Sequence, residues 1–551
     1  MKSSKILYYF LIGMVIVLCA LPFANIAFVT LKRITFSGQP LEQSFRFFKY
    51  ASTLSAFKNT FLVSFYVGLL SSIFAIPMSL LIMRTDLKHK SKWRTTLLLP
   101  YLVPPYIGAI AWVFLANPTN GVLNGMFETS WLNIYTFIGL VWVESAFLYT
   151  FLLLSLLNAL EAMDPSLEES ARVCGANWFQ VFRHITFPII FPSFMGGFLF
   201  VLLSSWASFG VPALIGNPGG IYLITTKIYS LTKMGTINGM FQSWTLSLIL
   251  LFLAFLVILA NNFILRNKKY SLLSGKSVIP TVYKLGKWQK PAQLILFIFI
   301  LIIFLMPLSA ILISALSKVQ GVLTWENMGL QNIKKLFFEI DEFYRSLKNS
   351  FFLAFCTAMI AMVVSLIINF YHKFFSKKSF VTSLPILSFT VPSTVLAIAM
   401  LLLFYNLSSF FKTNLHMGYL IFIACYLSKY FHLAMKTSMD SVNQVHISLF
   451  EAGQVCGASF FSIFRLIAFP MLKASAMASV FLVFMPALSE LTMSILITGP
   501  NMETLGTLLF QLQEYGDASG GGAAVLSLFI IVFILILNFT LKKLSNGKYG
   551  F

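Results

Sequence analysis

Residues 166–188 read Ser-Leu-Glu-Glu-Ser-Ala-Arg-Val-Cys-Gly-Ala-Asn-Trp-Phe-Gln-Val-Phe-Arg-His-Ile-Thr-Phe-Pro, a polar stretch between long apolar runs. Residues 448–470 read Ser-Leu-Phe-Glu-Ala-Gly-Gln-Val-Cys-Gly-Ala-Ser-Phe-Phe-Ser-Ile-Phe-Arg-Leu-Ile-Ala-Phe-Pro. One ungapped register pairs Ser166 with Ser448, Glu169 with Glu451, Cys174 with Cys456, Gly175 with Gly457, Arg183 with Arg465 and Pro188 with Pro470. Two unrelated loops do not hold register over that length, so the chain is internally duplicated. The likeness reaches further. Lys58-Asn59-Thr60 matches Lys348-Asn349-Ser350, Pro104 in Leu-Val-Pro-Pro-Tyr matches Pro392 in Thr-Val-Pro-Ser-Thr, and 213–218 pairs with 495–500 at the same register.

The 551 residues are 58% hydrophobic and 10% charged, with mean hydropathy +0.85. A soluble domain carries roughly 25% charged residues, so this chain has too little charge to cover a water-facing surface. Apolar runs of about 20 residues recur, each long enough to cross a bilayer as a helix. A membrane β-barrel would show alternating segments of about ten residues instead. The fold class is an all-α polytopic membrane protein. The net charge of +21 sits in short loops between spans, as the positive-inside rule predicts. No basic stripe with interleaved aromatics stands outside the spans, which excludes a nucleic-acid partner and leaves the lipid bilayer as the chain's surroundings. Of the five cysteines, Cys19, Cys356 and Cys425 lie in apolar spans and Cys174 and Cys456 in the repeated stretch. That is neither a disulfide framework nor a metal-ligand spacing.

About six spans fall in the first half, at 6–31, 58–83, 95–116, 134–158, 188–213 and 243–265. About six more follow at 292–317, 349–370, 381–405, 418–439, 471–498 and 523–541. The segment 6–31 follows Lys2 and Lys5 and exceeds the about 7–15 apolar residues of a signal peptide. Leu18 before Cys19 is not the small residue of a lipoprotein site, so this segment reads as a retained first span starting in the cytoplasm. Arg84 to Arg94, Lys373 with Lys377 and Lys378, and the tail Lys542, Lys543 and Lys548 then mark cytoplasmic loops. The chain divides into a first half, 1–265, a basic cytoplasmic linker, 266–291, and a second half, 292–551. The longer segment 318–348 falls outside, where its lysines are irregular, and Gly520 to Gly522 read as an external loop. Both termini are cytoplasmic. Each copy of the repeated stretch lies inside, after the fourth span of its half. An even span count gives the halves the same orientation, so they are parallel repeats about an axis along the membrane normal.

Ser166-x-x-Glu169 and Ser448-x-x-Glu451 have the spacing of a capping box that starts a helix. A glycine inside a short helix costs about 1 kcal/mol, so the repetition of Gly175 at Gly457 marks a break or a close approach. Val173, Ala176, Phe179 and Phe182 recur three apart, an apolar stripe that packs on span ends or in the groove of a cytoplasmic partner.

Glu169-Ser-Ala-x3-Gly175-x9-Ile185-x-Phe-Pro188 resembles the EAA motif of binding-protein-dependent ABC importer permeases, and Glu451-Ala-Gly-x3-Gly457-x9-Ile467-x-Phe-Pro470 resembles a second copy. Gly453 replaces alanine in the second, and both have Phe before the final Pro where Leu is usual. The resemblance implies the type I importer permease fold. It also implies two coupling helices that dock on two copies of an ATP-hydrolysing subunit, through Glu169, Ala171, Gly175, Phe179, Phe182 and Pro188 and through Glu451, Ala452, Gly457, Phe461, Phe464 and Pro470. Both halves on one chain, with Ser208 to Pro218, Leu223 to Tyr229, Glu490 to Ser494, Gly499-Pro500 and Thr504 to Thr507, are similar to fused ferric-iron-type permeases. Fused thiamine and aminophosphonate permeases share the architecture and are the alternative substrates. The implied function is translocation of a substrate, ferric iron first, delivered by an external or periplasmic solute-binding protein. ATP-driven alternating access would do the work in a bacterial cytoplasmic (inner) membrane.

Leu273-Ser-Gly-Lys-Ser277 looks like part of a phosphate loop, but position 270 is Tyr rather than Gly and no strand precedes it. The chain therefore reads as a non-enzyme with no cofactor of its own, with ATP and Mg on the partner ATPase. Glu144, Lys429, His432 and Glu490 are ionisable residues within spans, a functional signal by default, with an interspan hydrogen bond or snorkelling as the plain alternative. Glu144, Glu490 and Ser208, the register partner of Glu490, are candidates for lining a path. An ion-coupled secondary transporter would use Glu144 but gives the repeated cytoplasmic stretch no task.

Overall fold

The computed structural model describes residues 2–36, 46–266, 282–375, 384–414, 418–516 and 520–544. The centre of the basic linker, the 273–277 fragment, Lys377, Lys378 and Lys548 lie outside them. Among the described residues the backbone is helical, with two isolated β-bridges. Among the described residues nine helices are long and apolar enough to cross a membrane, and eleven crossings result if two bent pairs each count as one. The expected span 418–439 is the helix Tyr419–Gln444, long enough to cross but carrying Lys429, Lys436 and Asp440.

Two expected straight spans are crossings only as sharply bent helix pairs. The first bends by 44° between Cys19 and Leu21, and the third by 93° between Leu102 and Pro105. The second break has a local cause. Proline pushes the residue before it out of the α region and lacks an N–H, and Val103 ahead of Pro104 is extended at φ −92°, ψ 125°. The same break recurs between Leu384–Thr390 and Ser393–Phe411, at Val391-Pro392. The carbonyls freed there need donors. Lys429 Nζ donates to Phe389 O at 2.9 Å and Val391 O at 2.6 Å. Gly521 and Gly522 are not loop residues: they open the last helix, Gly521–Leu544, and a Cβ on Gly521 would fall 2.1 Å from the Asn332 side chain.

One compact unit comprises Ala51–Thr226 and Phe252–Gly329. Its core is the helices Ala51–Arg84, Phe137–Ala162 and Phe187–Ala207 packed on one another, and Pro105–Ala116 lies against Met306–Leu316. The other unit comprises Met1–Tyr50, Lys227–Leu251 and Leu330–Phe551. There Asp341–Phe375, Tyr419–Gln444 and Phe469–Leu488 form the core, and Ser393–Phe411 lies against Leu21–Phe36. Packing thus groups the chain differently from the linear halves 1–265 and 292–551, because the opening segment of each half packs on the broken third span of the other. The reason lies in that short third span. Every residue from Tyr106 to Ala116 is buried, so the span needs cover on the side its own half leaves open. Small residues bring the core helices close: Ser64, Ser71 and Ser79 are buried along Ala51–Arg84.

Candidate functional site

In the first copy, Ser166–Val173 is a short helix that ends in a left-handed residue, Gly175, at φ +86°. Ala176 N donates to Ala171 O at 3.0 Å and Gly175 N to Arg172 O at 2.9 Å. This is the six-to-one and five-to-two pattern of a Schellman ending, which glycine fits because it has no Cβ to clash. The capping box expected from Ser166 and Glu169 does not form. Ser166 is already helical, and its N–H bonds to Asp164 Oδ1 at 2.9 Å. A capping box forms instead at the next helix, where Asn177 Oδ1 accepts from Gln180 N and Gln180 Oε1 from Asn177 N, both at 2.9 Å. The expected stripe from Val173 to Phe182 is therefore split between two helices by the turn at Gly175. Val173, 88% exposed, and Phe179 point away from the core, while Phe182 stacks on Trp178.

The helix begun at Trp178 runs on through a π-turn, Phe182–Thr186, into Phe187–Ala207. Phe187 N donates to Phe182 O, and this widened register absorbs the missing N–H of Pro188. Pro188 thus has a local backbone task, joining the surface segment to a span without a break. Replacing Asn177 with alanine is expected to lower stability by about 1 kcal/mol, with serine restoring it, as read by thermal unfolding of the purified protein.

The second copy is built alike. Ile447–Val455 ends at Gly457, φ +75°, with Ala458 N on Gly453 O at 3.0 Å and Gly457 N on Gln454 O at 2.9 Å. Here too Ser448 is not the cap: His446 precedes the helix, its Nδ1 3.4 Å from Ser448 N. Ser459 caps the next helix, accepting from Ser462 N at 3.2 Å. Val455 is 88% exposed, Phe461 is exposed, and Phe464 stacks on Phe460. A π-turn at Phe464–Ala468 precedes Pro470 at the start of Phe469–Leu488. Glu169, Glu451 and Ala452 lie on the exposed side, and Ala171 is half-buried.

Sequence reasoning passed over the neighbouring Glu168. It is buried, with both carboxylate oxygens within 3.0 Å of Arg84 Nε, and Thr186 Oγ1 donates to it at 2.7 Å. A usable signal was present, since Glu168 and Arg84 are charged where the second half has phenylalanine. Nearby, Arg172 lies over the Tyr283 ring at 4.6 Å. Burial raises the Tyr283 phenol above its ordinary pKa, and the Arg172 charge partly offsets this.

The candidate path residues are held by hydrogen bonds inside each core. Glu144 accepts from Ser205 Oγ, while Trp206 Nε1 donates to Ser64 Oγ at 2.6 Å. Glu490 accepts from the Tyr430 hydroxyl and from Met493 N at 3.0 Å. Ser208 ends its helix and offers its carbonyl to Thr225 Oγ1 at 2.7 Å. The repeat register pairs Glu490 with Ser208 and Glu144 with Tyr426; Glu144 lies within the helix Phe137–Ala162, whereas Glu490, expected within a span, lies in the non-helical break between Phe469–Leu488 and Thr492–Ile497. Among the described residues no cluster of three His, Cys, Asp or Glu suits a metal ion.

Two stretches, 89–269 and 361–546, together most of the chain, match the family described as "Binding-protein-dependent transport system inner membrane component". The chain belongs to this family. Its permease relatives include a ferric transport system permease protein, FbpB, of Actinobacillus pleuropneumoniae, 24% identical over 516 residues, 90% of this chain and 72% of the relative. A putative ferric transport system permease protein of Haemophilus influenzae is 23% identical over 461 residues, 82% of this chain and 71% of the relative. Among solved structures, a chain of a bacterial alginate ABC transporter in complex with its alginate-bound periplasmic protein is 18% identical. It covers 48% of this permease and 98% of its own length, with a TM-score of 0.38. Both family matches contain one copy of the repeated stretch, as the duplication requires.

Proposed function

We propose that this permease is the membrane-spanning subunit of an ABC importer for ferric iron, lying in the bacterial inner membrane with both termini in the cytoplasm. A solute-binding protein outside delivers the ion. Two copies of an ATPase subunit, which carry the ATP and Mg, dock on the helices Ser166–Val173 and Ile447–Val455. The observation that carries the reading is the paired surface helix. Each ends at a left-handed glycine and presents an exposed valine, and the helix that follows it runs through a proline-adapted turn into a core span. Glu169, Ala171, Gly175, Phe179 and Phe182, with Glu451, Ala452, Gly457, Phe461 and Phe464, form the docking faces. Movement of the ATPases shifts both helices and, through Pro188 and Pro470, the spans behind them, a rigid-body switch driven from a distant site. The iron assignment is supported by relatives that span most of the chain.

Reconstitution in liposomes with the ATPase tests this. Ferric-loaded binding protein is expected to stimulate ATP hydrolysis several-fold, as differential binding to one state of the switch requires. Stimulation by a thiamine-loaded or aminophosphonate-loaded binding protein in its place sinks the iron reading. Uptake that needs no ATPase but collapses with the proton gradient sinks the importer reading.

A further inference from the structure

The surface helix Ser166–Val173 is fastened to the end of the core span Ala51–Arg84 by a buried polar cluster. Arg84 Nε lies 3.0 Å from Glu168 Oε1 and 2.9 Å from Oε2, and Thr186 Oγ1 donates to Oε1 at 2.7 Å. Arg84 Nη1 reaches back to Leu160 O at 3.1 Å, tying in the end of the helix before the surface segment. The same span end holds the surface helix a second way. Tyr283, under Arg172, exchanges backbone bonds with Arg84 O at 2.8 Å and Asp86 N at 3.1 Å.

The second copy makes the same attachment with different chemistry. The register that pairs Asn59 with Asn349 sets Phe374 at the place of Arg84. The register of the repeated stretch sets Phe450 at Glu168 and Ala468 at Thr186. Phe374 and Phe450 stack at 4.4 Å with their planes 13° apart, Phe370 meets Phe450 edge-on at 5.9 Å, and Ala468 is buried. The carbonyl task passes to the adjacent Lys373, whose Nζ donates to Val442 O at 2.7 Å. Val442 is the register partner of Leu160. An ion pair with a hydrogen-bonding threonine in one copy is thus an aromatic stack with an alanine in the other, all at matched positions.

We propose that these three positions form one exchangeable clamp per copy, with Arg84 and Phe374 as positioning residues that pass displacement of each surface helix to a core span. The proposal rests on the reading of those helices as docking points for the ATPase. Buried ion pairs behave in a way that makes the exchange testable. Removing one partner strands a charge, whereas replacing the whole set with matched apolar groups is often neutral or better. The Arg84–Glu168 pair is also incompletely satisfied, since Arg84 Nη2 has no hydrogen-bond partner among the described residues.

The test uses the full permease reconstituted with its ATPase and binding protein, reading iron taken up per ATP hydrolysed together with ATPase captured by the permease. Arg84→Met is expected to lower uptake per ATP by at least about five-fold, while the triple variant Arg84→Phe, Glu168→Phe, Thr186→Ala regains at least about half the original value. Wild-type coupling in Arg84→Met overturns the proposal. So does a triple variant that is equally abundant in the membrane yet no better coupled than Arg84→Met. Should Arg84→Met fail to accumulate, the triple variant alone decides, because rescue of both abundance and coupling is expected of it and failure of either contradicts the clamp. Failure of the unaltered permease to capture the ATPase at all would defeat the docking reading instead. Normal capture with unchanged coupling defeats only the clamp.

Discussion

Replacing both Gly175 and Gly457 with valine is expected to abolish uptake while the protein still accumulates in the membrane. The two glycines sit at φ +86° and +75°, where an ordinary L residue costs roughly 1–2 kcal/mol and a β-branched one more. Beyond the glycine and its two chain neighbours, no heavy atom of the described residues lies within 4 Å of where either Cβ would be placed. The strain is therefore local, and nothing in the membrane core has to move. What gives way is the Schellman ending: the bonds from Ala176 to Ala171 and from Ala458 to Gly453 cannot survive a backbone that returns to φ < 0. Each surface helix then loses its end and its angle to the following span, and Val173 and Val455 no longer stand where a partner would meet them. Asparagine tolerates the left-handed region, so the double asparagine variant is expected to retain much of the uptake. Uptake, membrane abundance and ATPase capture measured side by side would settle this. Ordinary transport by the double valine variant would count against docking through these turns.

Lys429→Met is expected to be severely damaging, costing on the order of 3 kcal/mol or more. The break at Val391-Pro392 leaves carbonyls without their helical donors, and the Lys429 ammonium reaches two of them, at 2.9 and 2.6 Å. Inside a bilayer no water can substitute. Methionine keeps the length and apolar stem but strands both carbonyls. The matched position in the other half is uncharged. The register partner of Lys429 is Phe147, whose ring fills the space beside Gly108 so closely that a Cβ there would fall 2.0 Å away. Phe147→Met is accordingly expected to cost less than Lys429→Met. The comparison reads the midpoint of thermal unfolding for each purified variant, and equal midpoints would refute the difference.

Much of this architecture is legible in the chain itself, and particular residues show why. Apolar run length is a one-dimensional property, and bilayer thickness converts it directly into spans. Duplication is likewise visible as register, from Lys58 and Lys348 through Pro188 and Pro470. Gly175 and Gly457 stood out because glycine is costly in a helix, and both mark left-handed turns. The Ser-x-x-Glu spacing misled, since Asp164 and His446 lie earlier and reach the first amides. A cap is decided by where the chain enters the helix, which the preceding spans dictate. The broken third spans were hidden for a related reason: hydropathy averages over Val103-Pro104 and does not see a change of direction.

By itself, the sequence determined the all-helical membrane class, the internal duplication, and the pair of repeated polar segments at residues 166–188 and 448–470. These follow from composition, periodicity and repetition along one strand of text. Only the tertiary structure decided that each half's opening segment packs with the other half's third span. It also decided that Glu168 rather than Glu169 is the buried carboxylate, and that an ion pair in one copy does the work of a phenylalanine stack in the other. Those facts depend on which side chains, far apart in the chain, share one dry space. In that space a charge must be paired and an aromatic ring must be filled against, and the sequence marks those demands only as a difference between the two copies, not as a contact.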